Sequence, residues 1–444
     1  MTYVHDMAHG TEHSRPRMLS PLREHLRDTF WFAPVAALVL VCVLWTAADA
    51  LDTAIVSAAQ DAGEYDAVSY YIGIAQDAQA VVTAISTAMM TFIGVVFSIS
   101  LVAVQMASGQ FSPRVVRIFV RSRITKATFA VFLSTFALSL LVLTAYEGET
   151  DPRLVESVPV VQAFLTVVMV ALSLLLFIAY VNATLRLMRV SHVAERIAAE
   201  AFRLLARQPR QDEGSEELDL GQVRAYLTYE GHAGVLRDVN VARLVRAARR
   251  HGVALRLLPR IGDFVVPGTR VLAVHGEGRV PSRRLTRFAV SVGVERTFHQ
   301  DLGLGLRQLA DIGQRALSPA VNDPTTAVQC LDRIVQFLAA TAHRRLGGVR
   351  HRDRRGAVRL VLDGPSWTDL VDLGLTEIRL CSVGNPQVTR RILAGVDDLL
   401  SLVPGDRREP LLRHRTLLVQ AVERTVPEAA ERAFALEADR QGIG

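Results

Sequence analysis

AQAVVTAISTAMMTFIGVVFSISLVAVQMASGQFSP, Ala78 to Pro113, runs for 36 residues without a charge. As a helix it would be about 54 Å long, well beyond the roughly 30 Å hydrocarbon core of a bilayer. It must tilt, break or project. Thr83, Thr87, Thr91, Gly94, Ser98, Gln105 and Ser108 recur through it at steps of three, four and seven, which places them on one helical stripe. Val82, Ile85, Met89, Phe92, Val96, Ile99 and Val102 form the other side, suited to lipid or apolar neighbours. The stripe has two readings. Small and hydroxyl residues let membrane helices approach closely, and polar side chains in a bilayer line water-accessible paths.

Three further uncharged runs flank this one: Thr29 to Ala48, Ala127 to Tyr146 and Ser157 to Leu185. Each is long enough to span. The first carries Trp31 and Trp45 near its ends, as membrane interfaces favour, and its charged leader is too long for a cleaved signal peptide. The leader holds Arg15, Arg17, Arg23 and Arg27. The connection from Thr53 to Gln79 has four acids and no base. The next, Ala107 to Lys126, has five bases and no acid. The third has four acids against Arg153, and Arg186, Arg189 and Arg196 follow the last run. This alternation puts both termini in the cytoplasm of a multi-pass inner-membrane protein. In FSPRVVRIFVRSR, Arg114, Arg117 and Arg121 stand at helical spacing, which suits either an inner-leaflet helix held by anionic lipid headgroups or an anion-favouring ring at a cytoplasmic mouth.

Composition excludes several chemistries. Lys126 is the only lysine among fifty basic residues in 444. It follows no glycine-rich loop and sits at a membrane edge, so P-loop, Schiff-base, biotinyl and lipoyl chemistry lack their residue. Cys42, Cys330 and Cys381 are far apart and form no disulfide framework or metal spacing. The net charge of +6 gathers around the apolar runs, which indicates membrane orientation and no nucleic acid. No titratable group lies centrally in a run, which weighs against a proton-coupled pump. Four helices enclose little space, so a channel would need a homo-oligomer.

The expected fold is a four-helix transmembrane α-helical domain followed by a cytoplasmic α+β domain and a C-terminal helical bundle. Its parts are a cytoplasmic leader (1–28), the membrane domain with a long inner helix extension (29–207), a linker (208–221), a small barrel-like α+β domain (222–280), a helical region (281–350) and the bundle (351–444). IGDFVVPGTRVLAV resembles the hairpin of lipoyl-like barrels, with turns at Gly262-Asp263 and Pro267-Gly268. In the helical region, Asp323 and Pro324 start a helix as cap and first-turn proline, with Ala327, Leu331, Ile334 and Leu338 as its buried stripe, while Ser318-Pro319 ends the helix before it. His299, Asp301, Ser318, Asn322 and Asp323 form a cytoplasmic motif; capping and turn formation account for it, and a ligand or active site is the rival reading.

FSPRVVR after a long apolar helix, the four-span layout and ALSPAVNDPTTAVQCLDRI together resemble a bacterial predicted-membrane-protein family of unknown function, over about Phe30 to Leu400. The resemblance implies a multispan membrane protein and supplies no activity or catalytic residues. No cofactor, metal or enzymatic motif is expected. The residues favour a homo-oligomeric channel or channel-like transporter with the stripe along its path; a membrane-anchored scaffold or sensor is the alternative, and an enzyme using the His299 to Asp323 region the third.

Overall fold

A computed structural model describes residues 31–110, 122–146, 151–187, 189–207 and 220–441. The leader, Arg114, Arg117, Arg121 and most of the expected linker lie outside the described residues. The chain divides into two units, one ending at Val193 and the other running from Ala194 onward.

In the first unit, α1 (Phe32–Asp61), α2 (Tyr65–Gln110), α3 (Arg123–Thr144) and α4 (Val160–Leu187) are each long and apolar enough to cross a membrane. The expected connection from Thr53 to Gln79 is itself almost entirely helical. Ala48, Asp52 and Val56 keep α1's buried face in register, and only Ala62 to Glu64 turn, with Gly63 in the left-handed region at φ +75°. Trp45 therefore sits mid-helix, away from an end. At about 45 Å and 69 Å, α1 and α2 both exceed the bilayer core.

Helix α3 is the hub. Half of its most apolar stretch is buried, against 17% in each of the other three. Phe92 of α2 packs edge to face on Phe132 of α3 at 6.3 Å and on Phe177 of α4 at 5.7 Å. The Tyr180 hydroxyl donates to Val96 O of α2 at 3.1 Å, and Thr135 meets Ser173 at 3.0 Å. Such bonds satisfy hydroxyls that find no water within hydrocarbon.

The expected extension of the fourth span is a separate helix, α5 (Val190–Arg207). Its buried residues, Ala194, Ile197, Ala198, Ala201, Leu204 and Leu205, form a one-sided stripe, whereas α4 is apolar all round. In the second unit, strands β1 (Val223–Thr228), β2 (Gly234–Val239), β3 (Ala254–Leu257), β4 (Phe264–Val265), β5 (Arg270–His275) and β6 (Val290–Gly293) surround α6 (Val241–His251) and α7 (Arg284–Ala289). One sheet has the order β1-β5-β3-β8-β7 and the other β4-β2-β6, with only β3 and β8 parallel. Leu236, Leu244, Leu255, Leu272 and Leu360 share one core.

Two expectations are corrected here. IGDFVVPGTRVLAV makes no hairpin, because β4 pairs with β2 while β5 pairs with β1 and β3. The backbone bonds of Gly262 to Leu236 and of Gly268 to Tyr229 pull the two strands to different sheets. Residues 348–363 are strands, β7 (Gly348–Arg352) and β8 (Val358–Asp363), and complete the five-stranded sheet. The α+β region therefore reaches into the stretch read as bundle.

The remaining helices are α8 (Leu304–Ala316), α9 (Pro324–Thr341), α10 (Trp367–Ser382), α11 (Pro386–Leu402), α12 (Arg408–Thr425) and α13 (Ala429–Leu436). Ala327, Leu331, Ile334 and Leu338 are buried on α9, as their spacing predicts.

Candidate functional site in the membrane unit

Helix α2 has two unlike faces. Val82, Met89, Val96 and Ala103, seven residues apart, are buried against the neighbouring helices. Thr83, Thr87, Thr91, Gly94, Ser98 and Gln105 lie on the opposite side and are all exposed; Gln76, one heptad earlier, extends them. Larger exposed residues border the stripe, Met90, Phe97 and Leu101 on one edge and Val95 and Val102 on the other. The Ser108 side chain lies outside the described residues. Among the described residues the three other spans pack on the apolar face and none covers the polar one, so packing within the bundle does not account for the stripe.

Each hydroxyl of the stripe is already satisfied. Thr83 donates to Gln79 O at 2.8 Å, Thr87 to Thr83 O at 3.1 Å, Thr91 to Thr87 O at 3.4 Å and Ser98 to Gly94 O at 2.9 Å. The hydroxyl oxygens keep lone pairs pointing outward from the helix. An ideal Cβ on Gly94 would meet nothing within 4 Å. The result is an uncharged, acceptor-rich stripe along one helix.

A second polar group sits between α1 and α4, where the sequence reading places none. Asp52 is 2% exposed and Gln162 0%. The Asp52 carboxylate accepts the Val161 and Gln162 backbone N–H groups, and Gln162 Nε2 donates to Asp49 Oδ1 at 3.0 Å. Nearby, Gln60 Nε2 donates to Pro152 O and Val155 O and fixes the approach to α4. The uncharged run stops at Ala48 and the acidic connection is counted from Thr53, so Asp49 and Asp52 fall in neither. The signal for them is the heptad and half-heptad spacing of Val41, Ala48, Asp52 and Val56.

The cytoplasmic motif residues do not converge. Asp301 is buried in a bidentate pair with Arg296, at 2.6 and 2.8 Å. His299 faces Asp238, whose carboxyl burial pushes up while His299 and Arg237 pull it back. Gln300 between them bonds both the N–H and the C=O of Val239. Asp323 accepts Thr326 N–H at 3.0 Å and its hydroxyl at 2.6 Å, and Pro324 opens α9. Asn322 takes φ +48°, and Ser318 donates to Arg315 O. Each has a structural task, and no group of three His, Cys, Asp or Glu able to hold a metal occurs among the described residues.

A family model described as Predicted membrane protein (DUF2254) matches residues 27–398. Uncharacterized protein Rv1290c of Mycobacterium tuberculosis and Uncharacterized protein Mb1321c of Mycobacterium bovis are each 29% identical over 378 residues, covering 83% of this chain and 71% of theirs. No solved structure matches the chain.

Proposed function

The chain belongs to the Predicted membrane protein (DUF2254) family, and on that footing we propose that it is a homo-oligomeric, channel-like protein of the bacterial inner membrane. In this reading the α2 stripes of several copies face a common axis, and both termini lie in the cytoplasm. One observation carries it: the polar side of the longest span is the side its own chain leaves bare. A lone stripe of hydroxyls and glycine facing lipid tails gains nothing, whereas a ring of them lines a hydrated path without a fixed charge. The second unit, with its own core, would assemble or regulate the pore. The orientation rests on the alternation of acidic and basic connections.

Proteoliposome flux tests the proposal. The purified chain should pass small ions or solutes, and replacing Thr87, Thr91 and Ser98 by Val, Val and Ala should reduce the flux at least tenfold by drying the path. Absence of flux under any voltage, tension or pH refutes it. The self-bonded hydroxyls favour one rival, a scaffold whose stripe is a dry contact between copies. That reading requires the triple variant to keep full cellular function.

A further inference from the structure

We infer that the α6–α7 face of the second unit is a docking surface for anionic phospholipid headgroups. It rests on the membrane-spanning reading of the chain but on neither conduction nor orientation.

Charge in this region is lopsided. Between Val241 and Gly293 there are eleven arginines against two acids, Asp263 and Glu277, although the whole chain is only +6. Helix α6 buries Val241, Leu244, Val245 and Ala248, which turns Arg243, Arg246, Arg249 and Arg250 outward together. Helix α7 packs beside it and adds exposed Arg284 and Arg287, with Arg283 at its cap. Arg243 joins the two helices, donating to Phe288 O at 3.1 Å with its guanidinium 5.1 Å from the Phe288 ring centre. The ring itself is 52% exposed.

Several arginines elsewhere in this unit pair with acids, Arg256 with Asp363, Arg260 with Asp369, Arg296 with Asp301 and Arg359 with Asp353. Among the described residues Arg246, Arg249, Arg250, Arg283, Arg284 and Arg287 have no acidic partner. A guanidinium is weakly hydrated and matches phosphate oxygens in pairs. An exposed aromatic ring among cations fits the apolar boundary beneath a headgroup layer. The occupant follows from the tether: the second unit begins at Ala194, seven residues after α4 ends at Leu187. A phosphate-bearing surface is therefore always at high effective concentration, which no free polyanion matches.

Hydrogen exchange on the full chain in nanodiscs tests this. Discs of phosphatidylcholine alone are compared with discs containing equal parts phosphatidylglycerol, the same in both leaflets so that orientation does not matter. The amides of α6 and α7 should exchange several-fold more slowly in the anionic discs, and high salt should remove the difference. Each arginine contributes roughly fivefold in surface affinity, so neutralising three should weaken docking about 100-fold, and Arg249→Glu, Arg250→Glu and Arg284→Glu together, which reverse the charges, by well over that. Arg→Gln at the same sites should act more mildly, with exchange in β3 and β5 unchanged as the check on folding. Equal exchange in both discs overturns the inference. So does protection that appears in neutral discs on adding a short RNA or an acidic peptide but not on adding phosphatidylglycerol.

Discussion

Asp52 of α1 caps the first turn of α4: its Oδ1 accepts the Val161 N–H at 2.8 Å across 109 positions of sequence. Its Oδ2 takes the Gln162 N–H at 3.2 Å. The stretch entering α4, Ser157-Val158-Pro159, brings no side-chain cap of its own to these amides, so the helix borrows one from α1. A carboxylate there also meets the positive end of the α4 dipole. One residue thus closes a helix end and ties the first span to the last.

Removing that carboxylate should loosen the bundle. Asp52→Ala leaves the Val161 and Gln162 amides without their acceptor, at a cost of roughly 1–3 kcal/mol for each that finds no water. Asp52→Asn keeps one oxygen and should lose about half as much. The midpoint of thermal aggregation in detergent reads both. An Asp52→Ala protein that melts with the parent would show that water or lipid headgroups serve the amides equally well.

Gly94 separates assembly from folding. Nothing within 4 Å opposes a side chain there, and its φ is ordinary for a helix. Gly94→Leu should leave the protomer's melting unchanged or slightly raised, since glycine is a poor helix former. If copies meet along the stripe, the same change should break the oligomer, as seen by native mass spectrometry or by crosslinking in the membrane. An unaltered oligomer would place the stripe away from any subunit contact.

The sequence made the spans, the α9 stripe and the C-terminal helices legible because each has a strong local period: long charge-free runs, or apolar residues at three and four, with Asp323-Pro324 opening α9. The faces of α2 were legible for the same reason. What local pattern cannot carry is pairing across sequence. β8 joins β3 a hundred residues upstream, and β4 and β5 part company because Gly262 bonds to Leu236 of β2 while Gly268 bonds to Tyr229 just beyond β1. The Asp49, Asp52 and Gln162 group was missed on the same account, since two acids just past an uncharged run and one glutamine within another have no visible link until α1 and α4 are laid side by side. His299, Asp301 and Asp323, neighbours in sequence reading, proved to have separate partners.

Close helix packing predicts a different glycine. A Cβ on Gly374 of α10 would stand 2.7 Å from Ile334 Cγ2 of α9, inside contact distance, with Leu306 behind it. Gly374→Ala gains up to about 1 kcal/mol of helix propensity but must push two buried helices apart, at roughly 1–3 kcal/mol. The net should be destabilising, and Ile334→Leu in the same chain, which lacks the Cγ2 methyl, should recover part of it by opening the contact. Recovery is read as a denaturant midpoint. A Gly374→Ala protein more stable than the parent would mean that α9 and α10 separate freely.

Acid should weaken the second unit through His414. This ring is buried between α10 and α12: its Nε2–H donates to Asp372 Oδ1 at 2.8 Å and its Nδ1 accepts from Arg379 Nε at 3.3 Å. Burial pushes its pKa below the ordinary histidine range; Asp372 opposes this, while Arg379 and Arg413 add to it. The folded state therefore binds fewer protons here than the unfolded chain. Stability is full above the unfolded value of about 6.5 and falls as pH drops below it, until the folded value is passed. A proton on Nδ1 would point at the Arg379 guanidinium, which sets the direction physically as well. His414→Gln, which can keep one bond to Asp372, should flatten this acid arm while the parent's melting temperature declines between pH about 7 and about 5. If parent and variant decline in parallel, the acid sensitivity belongs to other groups and His414 is inert.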